Sequence, residues 1–419
     1  MASRFQRERK SPTRSKNISG IISVDGSTDA PWRASKANVE ICTAETDEER
    51  EAVFRLRHDV YVSELGEYRT EARDGLLTDP SDDAPNVRQV YAATPGPEGS
   101  EGQVVAALRY HIGGPFSHED RAVYDLDRFM DVVSGDKFAI LSRFCAHAEY
   151  RQSIPMHLLL ASLPFTKEDG VELLFCDCQP HLVSLYQRLG FRSYTAVYSD
   201  AVASVLVPLV LLRGDAEHFV RIGSPLGSRD VPAASVAIAA SVKSLVRDGA
   251  VTRLDAIDEA PIPAETVFKN LQTPAVPAED ARSIFSGLSI DEVRAVLDAS
   301  FELKLQKGDR LVRRGQATRT FYVVIRGRLE EREKERVVGT LGRGDVAGEV
   351  SLLVQGQRRI ADVFAVEDDV VVLAVGEKAF RALVDSRSPT AAVFTLNLCR
   401  SIARKMVERS LLLSGPVDT

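Results

Sequence analysis

Apolar and polar residues follow two different patterns along the chain, which indicates two folded regions. Between Glu40 and about Pro225, strand-like and helix-like segments take turns. Apolar runs predict strands at Val104–Ile112, Phe138–Ala146, Leu173–Cys178 and within Ala201–Leu212, and amphipathic stretches predict helices at Thr46–Leu65, from Met156 onwards and at His181–Leu189. Alternation of this kind predicts an α/β domain.

From Ala281 onwards the pattern changes, because the predicted strands are short and glycines recur between them at turn spacings. The glycines are Gly308, Gly315, Gly327, Gly339, Gly342 and Gly344. A short helix is predicted at Ile290–Ala299 before the strands, and a long helix at Pro389–Leu413 after them. Many short strands with regular turns predict a small β-barrel or jelly roll.

Two further stretches have the composition of unstructured chain. Residues 1–37 are basic and polar with few large apolar side chains, and they predict a disordered tail. Residues 226–281 are rich in Ala and Pro, and they predict a linker with one helix at Ala233–Asp248. The predicted division is therefore a tail at 1–37, an α/β domain at 38–225, the linker at 226–281, and a β domain with its terminal helix at 282–419.

Composition and charge argue against several classes of protein. The 419 residues carry 53 basic and 60 acidic side chains, a net charge of −7, so no overall basic character points to nucleic acid. The longest apolar run is shorter than the ~20 residues of a membrane-spanning helix, and the N-terminus has no apolar stretch typical of a signal peptide. Five cysteines do not form a disulfide scaffold. These features predict a cytoplasmic, bacterial-type protein without a membrane span.

One stretch of the β region combines groups that suit an anion next to a hydroxyl. Gly348 permits a tight turn, and Glu349 begins a short helical turn whose backbone N–H groups can face an anion. Arg358 and Arg359 return to the same place one loop later, and a guanidinium matches a phosphate bidentately. A carboxylate beside the guanidinium can accept a hydrogen bond from a sugar hydroxyl. A cyclic nucleotide presents one anion and one hydroxyl in this way.

This stretch resembles the phosphate-binding segment of cyclic nucleotide-binding domains, over roughly residues 283–412. Arg359 follows Glu349 by ten residues, the spacing of the bacterial catabolite activator type, and Arg358 is the alternative register. The resemblance implies bound cAMP or cGMP, held by Gly348, Glu349, Val350, Ser351, Arg358 and Arg359. Ile360 and Asp362 depart from the residues usual at their positions. The alternative is a β domain without ligand, in which Glu349 and Arg359 form a plain ion pair.

The α/β region contains charged residues inside otherwise apolar segments. Arg109 and Arg143 interrupt two of the predicted strands, and Asp79, Asp82 and Asp83 cluster in a loop. Arg57 and Tyr61 lie four residues apart in the first predicted helix. Charged side chains are rarely buried unless they are paired, so we expect an internal network of ion pairs. Such a network is either purely structural or part of a site.

The order of the motifs resembles two related families of the GNAT acyltransferase superfamily, the acyl-homoserine-lactone synthases and the N-acyl amino acid synthases. The motifs are Leu56–Gly66, the Asp loop, Ala107–Tyr110, Leu141–Phe144 and Pro180–Phe191, and the resemblance covers about residues 40–225. It implies acyl transfer from an acyl carrier protein or acyl-CoA to an amine, with Tyr186 as the acid for the leaving thiolate. The implied site residues are Arg57, Tyr61, Asp79, Asp82, Arg109, Arg143 and Tyr186.

Two departures weaken this expectation of activity. Ile140 occupies the position of a Glu in the synthases, and the turn at 150–156 lacks the glycines with which acetyl-CoA users hold the pyrophosphate. A carrier-protein donor or a non-catalytic domain fits this turn better. Cys176, Cys178 and His181 are an incomplete zinc set, so we expect two buried strand cysteines and no metal.

Together the two regions predict an N-acyltransferase regulated by a cyclic nucleotide. The alternative is a sensor that binds a cyclic nucleotide or an acyl ligand without catalysis. A DNA-binding regulator is not expected, since no helix-turn-helix segment follows Leu413. The terminal helix carries an apolar stripe of residues spaced by four, namely Phe394, Leu398, Ile402 and Met406. This stripe can form a homodimer interface, or it can pack against its own domain.

Overall fold

The computed structural model describes most of the two predicted domains. The described residues are 39–96, 102–151, 154–199, 204–227, 231–246, 251–253, 283–289, 291–293 and 300–414. The predicted tail and most of the predicted linker lie outside these residues, as does most of the helix predicted at Ile290–Ala299. The domain boundaries therefore remain predictions.

The first domain is built on an eight-stranded sheet. Its strands are β1 Glu40–Thr43, β2 Val87–Ala93, β3 Val104–Ile112, β4 Phe138–Ala146, β5 Leu173–Cys178, β6 Arg192–Ser193, β7 Tyr198–Ser199 and β8 Val205–Leu212. Their order is β1-β2-β3-β4-β5-β8-β6, with β7 paired to β8. The predicted bounds of β3, β4 and β5 are confirmed, because long apolar runs buried on both faces leave little freedom in where a strand ends.

The helices of the first domain cover both faces of the sheet. They are α1 Asp47–Arg57, α2 His118–Val123, α3 Leu126–Met130, α4 Ile154–Glu168, α5 Val183–Leu189, α6 Ala216–Arg221 and α7 Ala233–Val242. Of the two possible N-caps in the sequence, Thr46 and Asp47, it is Thr46 that caps α1, and it forms a capping box with Glu49. The chain then continues as a π-helix over His58–Glu64, where the sequence predicts ordinary helix. Gly190 ends α5 in the left-handed conformation.

The sheet opens between its two central strands. β4 and β5 form the sheet's parallel pair, and their pairing runs from Phe138 and Leu173 to Leu141 and Cys176. Beyond that point β4 stays paired with β3, and β5 stays paired with β8. The two strands therefore separate, and the residues after Leu141 and Cys176 lie on the two sides of the gap.

The second domain is a sandwich of two open sheets, so of the two predicted forms, barrel or jelly roll, the structure is consistent with the jelly roll. One sheet contains β9 Val251–Arg253, β10 Ser300–Leu305, β12 Thr320–Arg326, β15 Val346–Ala347 and β17 Val370–Gly376. The other contains β11 Arg310–Val312, β13 Leu329–Glu333, β14 Arg336–Leu341 and β16 Asp362–Ala365. The described helices of this domain are α8 Glu349–Leu353, α9 Glu377–Asp385 and α10 Pro389–Ser414.

The terminal helix α10 packs against its own domain. Phe394 and Leu398 are almost fully buried in the apolar cluster beneath it, and Ile402 packs against the same cluster. Met406 is exposed by 66%. Most of the predicted dimer stripe is therefore used within the chain. Among the described helices, none combines the length and hydropathy that a bilayer crossing requires.

Candidate functional sites

The predicted charged network of the first domain forms, and it lies on the sheet face covered by α1. Arg109 donates to Asp79 at 2.7 Å and to Asp82 at 3.1 Å. Arg143 donates hydrogen bonds to both carboxylate oxygens of Asp79, at 2.7 and 2.5 Å. Burial alone would raise the pKa of Asp79, but the hydrogen bonds and charges of Arg143 and Arg109 hold it below its usual value. Asp83 is exposed and takes no part.

Arg57 is the most deeply buried member of this network. Its side chain is fully inaccessible, and it donates to Asp82 at 2.9 Å and to Gln89. Gln89 in turn donates to the second oxygen of Asp82 at 2.8 Å. A fully buried guanidinium is too far from solvent to meet a substrate directly. The geometry therefore assigns Arg57 to positioning Asp82, while Arg109 and Arg143, each slightly exposed, face the site.

Arg143 is held in an unusual backbone conformation next to two tyrosine rings. Its φ of 52° lies in the left-handed region, within a strand, beside a register shift between β3 and β4. Its guanidinium lies 4.3 Å from the ring centroid of Tyr68 and 5.9 Å from that of Tyr61. The hydroxyl of Tyr61 donates to the carbonyl oxygen of Phe144 at 3.2 Å. The strained residue is thus fixed by Asp79 on one side and by aromatic rings on the other.

Tyr186 lies on α5, the helix that follows β5, and is buried in the same apolar cluster as Cys176 and Cys178. Burial raises the pKa of Tyr186 well above its usual value, so its hydroxyl stays protonated at neutral pH and can act only as a proton donor. Ile140, the position of the expected Glu, is 3% exposed in the apolar cluster with Phe138 and Phe175. Within the described part of the chain, no three His, Cys, Asp or Glu side chains are grouped so as to hold a metal ion.

The second domain contains a cavity of about 330 Å³ beneath α10. Of the predicted ligand-binding residues, five line it: Gly348, Glu349, Val350, Ser351 and Arg359. Arg358 does not line the cavity, so the structure favours the ten-residue register. Ile360 also lines it. Asp362 turns away, because its carboxylate accepts a hydrogen bond from the backbone N–H of Arg314 at 3.1 Å and faces Arg310 at 4.0 Å.

Arg359 is packed against the backbone of the turn that precedes α8. Its guanidinium donates to the carbonyl oxygens of Gly348 and Thr320, and its Nε donates to Thr318 at 3.0 Å. Three of its five N–H groups are thus occupied, which leaves two for an anion. Among the described residues, Arg359 forms no hydrogen bond with Glu349, which accepts instead from Lys405 of α10 at 3.1 Å. The plain ion pair considered above is therefore absent among these described residues.

A substitution at Gly348 is expected to displace Arg359. Gly348 has a φ of 83°, and a Cβ there would lie 2.0 Å from Nη1 of Arg359. We expect Gly348→Ala to weaken nucleotide binding at least tenfold, measured by isothermal titration. Gly308→Ala is the matched control, because Gly308 has a φ of 95° but nothing within 4 Å of the added Cβ. Equal affinities for the two variants would contradict this role of the glycine.

Three cavity residues escape sequence analysis because they approach from distant segments. Glu331 on β13 is buried, and it accepts hydrogen bonds from Lys405 at 2.9 Å and from Arg409 at 2.7 Å. Burial alone would lower the pKa of Lys405, but the charges of Glu349 and Glu331 raise it. The terminal helix therefore closes the cavity through charged contacts. Lys405 and Arg409 lie one turn apart in the predicted terminal helix, but other charged residues of that helix surround them, so the sequence does not single them out.

Arg358 points out of the second domain into the first. Its guanidinium donates to the carbonyl oxygens of Leu65, at 3.2 Å, and of Glu64, and to that of Gly315 in its own domain at 3.0 Å. Glu64 and Leu65 end the π-helix that carries Tyr61. Beside this contact, Gln316 donates to the buried Glu67 at 3.2 Å. We call these contacts of Arg358 and Gln316 with residues 64–67 the domain joint.

A second contact between the domains lies near the gap of the sheet. The backbone N–H of Arg310 donates to the hydroxyl of Ser199, on β7, at 2.9 Å. Buried apolar residues of the two domains also belong to one continuous cluster, which includes Tyr186 of the first domain and Leu303 of the second. The domains are therefore packed together through both polar and apolar contacts.

Comparison with known proteins identifies both regions. Residues 52–215 match the family model "N-acyl amino acid synthase FeeM", and residues 302–387 match "Cyclic nucleotide-binding domain". Human cGMP-dependent protein kinase 2 is 24% identical over 162 residues, 35% of this chain and 21% of that protein. The chain thus spans about a fifth of the length of that relative.

Solved structures match the same two regions. The structure of FeeM, an N-acyl amino acid synthase from uncultured soil microbes, is 14% identical with a TM-score of 0.36, over 45% of this chain and 97% of that one. The Thermus thermophilus catabolite activator protein is 27% identical with a TM-score of 0.27, over 31% of this chain and 61% of that one. The first domain thus resembles the N-acyl amino acid synthases, which are N-acyltransferases, over residues 52–215, and the second resembles cyclic nucleotide-binding domains over residues 302–387.

Proposed function

We propose that this protein is an N-acyltransferase whose activity is regulated by a cyclic nucleotide. The first domain transfers an acyl group from a thioester to the amine of an amino acid, and the second domain binds cAMP or cGMP. The observation that carries the regulatory part is the domain joint: Arg358 is adjacent in sequence to the anion-facing Arg359 and binds the end of the helix that carries Tyr61.

The thioester donor is an acyl carrier protein or acyl-CoA. The turn at 150–156 lacks glycine, so it offers no open backbone cradle for a pyrophosphate, and this favours the carrier protein. Tyr186 protonates the leaving thiolate, since burial keeps its hydroxyl protonated. The amino acid acceptor is suggested by the name of the matching family. The test is release of free thiol from acyl carrier protein or acyl-CoA in the presence of amino acids, with and without each nucleotide.

The route of regulation follows from the local backbone pairing. The N–H of Arg359 donates to the carbonyl of Gln316 at 2.9 Å, and the N–H of Gly315 donates to the carbonyl of Arg359 at 2.8 Å. Because these hydrogen bonds link the two backbone segments, a phosphate that displaces Arg359 also displaces Arg358 and Gln316, which are the second-domain residues of the domain joint. The joint in turn holds the segment with Tyr61 and Tyr68, whose rings lie against Arg143.

Arg358→Ala is expected to uncouple the two domains. Nucleotide affinity should stay within about threefold of wild type, because Arg358 does not line the cavity. The ratio of transfer rates with and without nucleotide should fall to near one, from the ~5- to 150-fold that a typical allosteric coupling gives. Both quantities are measured on the full chain, by titration and by thiol release.

Arg328→Ala is the control for this prediction, since Arg328 is 65% exposed in the same domain and pairs only with Glu367. It should keep the full nucleotide response. A response of wild-type size in Arg358→Ala would show that the joint does not transmit the signal.

The second candidate function is a non-catalytic sensor, and the burial of Ile140 where the synthases have a Glu favours it. In that case the first domain binds an acyl ligand or a protein partner. Nucleotide binding without thiol release, for every donor and amino acid tested, would support the sensor.

A further inference from the structure

The cavity beneath α10 has a second polar end, formed by Glu331, Lys405 and Arg409. Lys405 links this end to Glu349, because its ammonium group lies 3.1 Å from the carboxylate of Glu349 and 2.9 Å from that of Glu331. In the proposed complex the phosphate lies at Arg359 and the sugar hydroxyl at Glu349. The base is attached to the same sugar, so it occupies the rest of the cavity and comes within reach of this polar end.

Glu331 is aimed into the cavity by the local structure of its strand. A register shift between β13 and β14 falls at Glu331 and Arg332, and a bulge of this kind redirects the side chains beside it. Gly339 stands opposite Glu331, and a Cβ added there would lie 3.1 Å from Oε2 of the carboxylate. The glycine therefore leaves room for the carboxylate. Glu331 is only 5% exposed, yet it lines the cavity.

The carboxylate of Glu331 can accept two further hydrogen bonds. Lys405 donates to Oε1 at 2.9 Å, and Arg409 donates to Oε2 at 2.7 Å. A carboxylate oxygen has two lone pairs, so each oxygen keeps one position beyond these described contacts. Burial alone would raise the pKa of Glu331, but the charges of Lys405 and Arg409 hold it below its usual value. An ionised carboxylate of this kind suits a base that presents two adjacent N–H donors.

A hydrogen-bond donor lies beside this carboxylate. Nη2 of Arg409 donates to Glu331, whereas Nε of Arg409 is buried and has no hydrogen-bond partner within the described part of the chain. A buried donor without an acceptor is unfavourable, and a ligand in the cavity that Arg409 lines can supply one. The polar end thus offers one donor next to two acceptor positions.

Guanine has the complementary pattern along one edge. Its O6 atom accepts a hydrogen bond, and the N1–H and N2–H₂ groups beside it donate. Adenine presents the reverse pattern there, since its N6–H₂ group donates and its N1 atom accepts. The lone pair of N1 would therefore face the carboxylate of Glu331. Unpaired buried polar groups carry a penalty, so this contrast discriminates between the two bases.

We propose that Glu331 reads the base of the bound nucleotide, so that the second domain binds cGMP in preference to cAMP. This inference rests on the proposed function. The two oxygens of Glu331 accept from N1–H and N2–H₂ of guanine, and Arg409 donates to O6. Because Glu331 also holds Lys405 and Arg409, these contacts connect the base to the helix that closes the cavity.

The first test is isothermal titration of cGMP, cAMP and cyclic inosine monophosphate into the purified full chain. The inosine compound keeps O6 and N1–H but lacks the N2 amino group, so it loses one of the two hydrogen bonds to Glu331. We expect Kd to rise in the order cGMP, cyclic inosine monophosphate, cAMP, with cGMP bound about 30-fold more tightly than cAMP. Equal affinities for cGMP and cAMP, or tighter binding of cAMP, would overturn the proposal. Absence of binding for all three would instead overturn the proposed nucleotide binding itself.

Glu331→Gln tests the carboxylate directly. The amide keeps the shape but presents one acceptor and one donor, a pattern that suits adenine. The ratio of the Kd for cAMP to the Kd for cGMP should therefore fall about tenfold. A merely structural role of Glu331 in holding α10 would weaken all three nucleotides equally, and an unchanged ratio would overturn the proposal.

Glu330→Gln is the matched control for this charge change. Glu330 is the neighbouring residue of β13, its side chain is 26% exposed, and it pairs with Arg332 rather than lining the cavity. It should keep the wild-type ratio of affinities, and a fall as large as that of Glu331→Gln would contradict a specific role of Glu331. Thermal unfolding of each variant shows that it is folded.

Discussion

Replacing Asp82 by alanine is expected to cost about 3–5 kcal/mol of the free energy of unfolding, because it leaves the guanidinium of Arg57 buried without its carboxylate. The Arg57 side chain is inaccessible and that of Asp82 is 2% exposed, so water cannot take over the lost contact. Gln89 alone would remain as an acceptor for Arg57. Chemical unfolding in urea, followed by fluorescence and by circular dichroism, measures the change.

A surface pair of the same helix provides the control. Glu51 and Arg55 lie 2.5 Å apart with side chains more than half exposed, so Glu51→Ala should cost less than about 1 kcal/mol. The double variant Arg57→Met, Asp82→Leu removes both buried charges, and we expect it to recover much of the lost stability. A cost for Asp82→Ala as small as that for Glu51→Ala would contradict this account of the network.

Replacing Arg359 by alanine is expected to remove nucleotide binding. Loss of a buried charged partner costs about 2–5 kcal/mol, which raises Kd roughly 30-fold to several thousand-fold. Isothermal titration of cAMP and cGMP into the purified protein measures this directly. Acyl transfer without nucleotide should remain measurable, since Arg359 lies in the second domain, while the response to nucleotide should be lost.

Arg359→Lys separates charge from geometry at the same position. Lysine keeps the positive charge but has no planar fork, so an affinity between those of wild type and Arg359→Ala is expected. Binding of wild-type strength in Arg359→Ala would show that the cavity holds its ligand without this arginine. Loss of transfer without nucleotide in a folded Arg359→Ala would contradict the separation of the two functions between the domains.

The sequence is informative about the fold where burial sets the pattern. The bounds of β3, β4 and β5 could be predicted because each is a long apolar run. The π-helix after Arg57 could not, since it differs from an α-helix in its backbone hydrogen bonds rather than in the spacing of its apolar residues. Short strands with regular turns suit a barrel and a two-sheet jelly roll equally well, so the choice between these two predicted forms needed the structure.

The sites were predictable where a feature of the local sequence marks their residues. The clustering of Arg109, Arg143, Asp79 and Asp82 follows from charges in apolar surroundings, and the spacing from Glu349 to Arg359 marks the cavity. The direction in which Arg358 points depends on the packing of two domains, about which local spacing carries no information.

Arg358 recognises the first domain through main-chain oxygen atoms, and this has an evolutionary consequence. Carbonyl groups are present whatever the side chains at positions 64 and 65 are, so substitutions there leave the acceptors of Arg358 in place. At positions 64 and 65 this contact therefore constrains the path of the backbone rather than the side chains, whereas Glu67 takes part through its carboxylate. Synthase domains of diverged sequence can accept the same nucleotide-binding domain, provided that this short stretch keeps its shape.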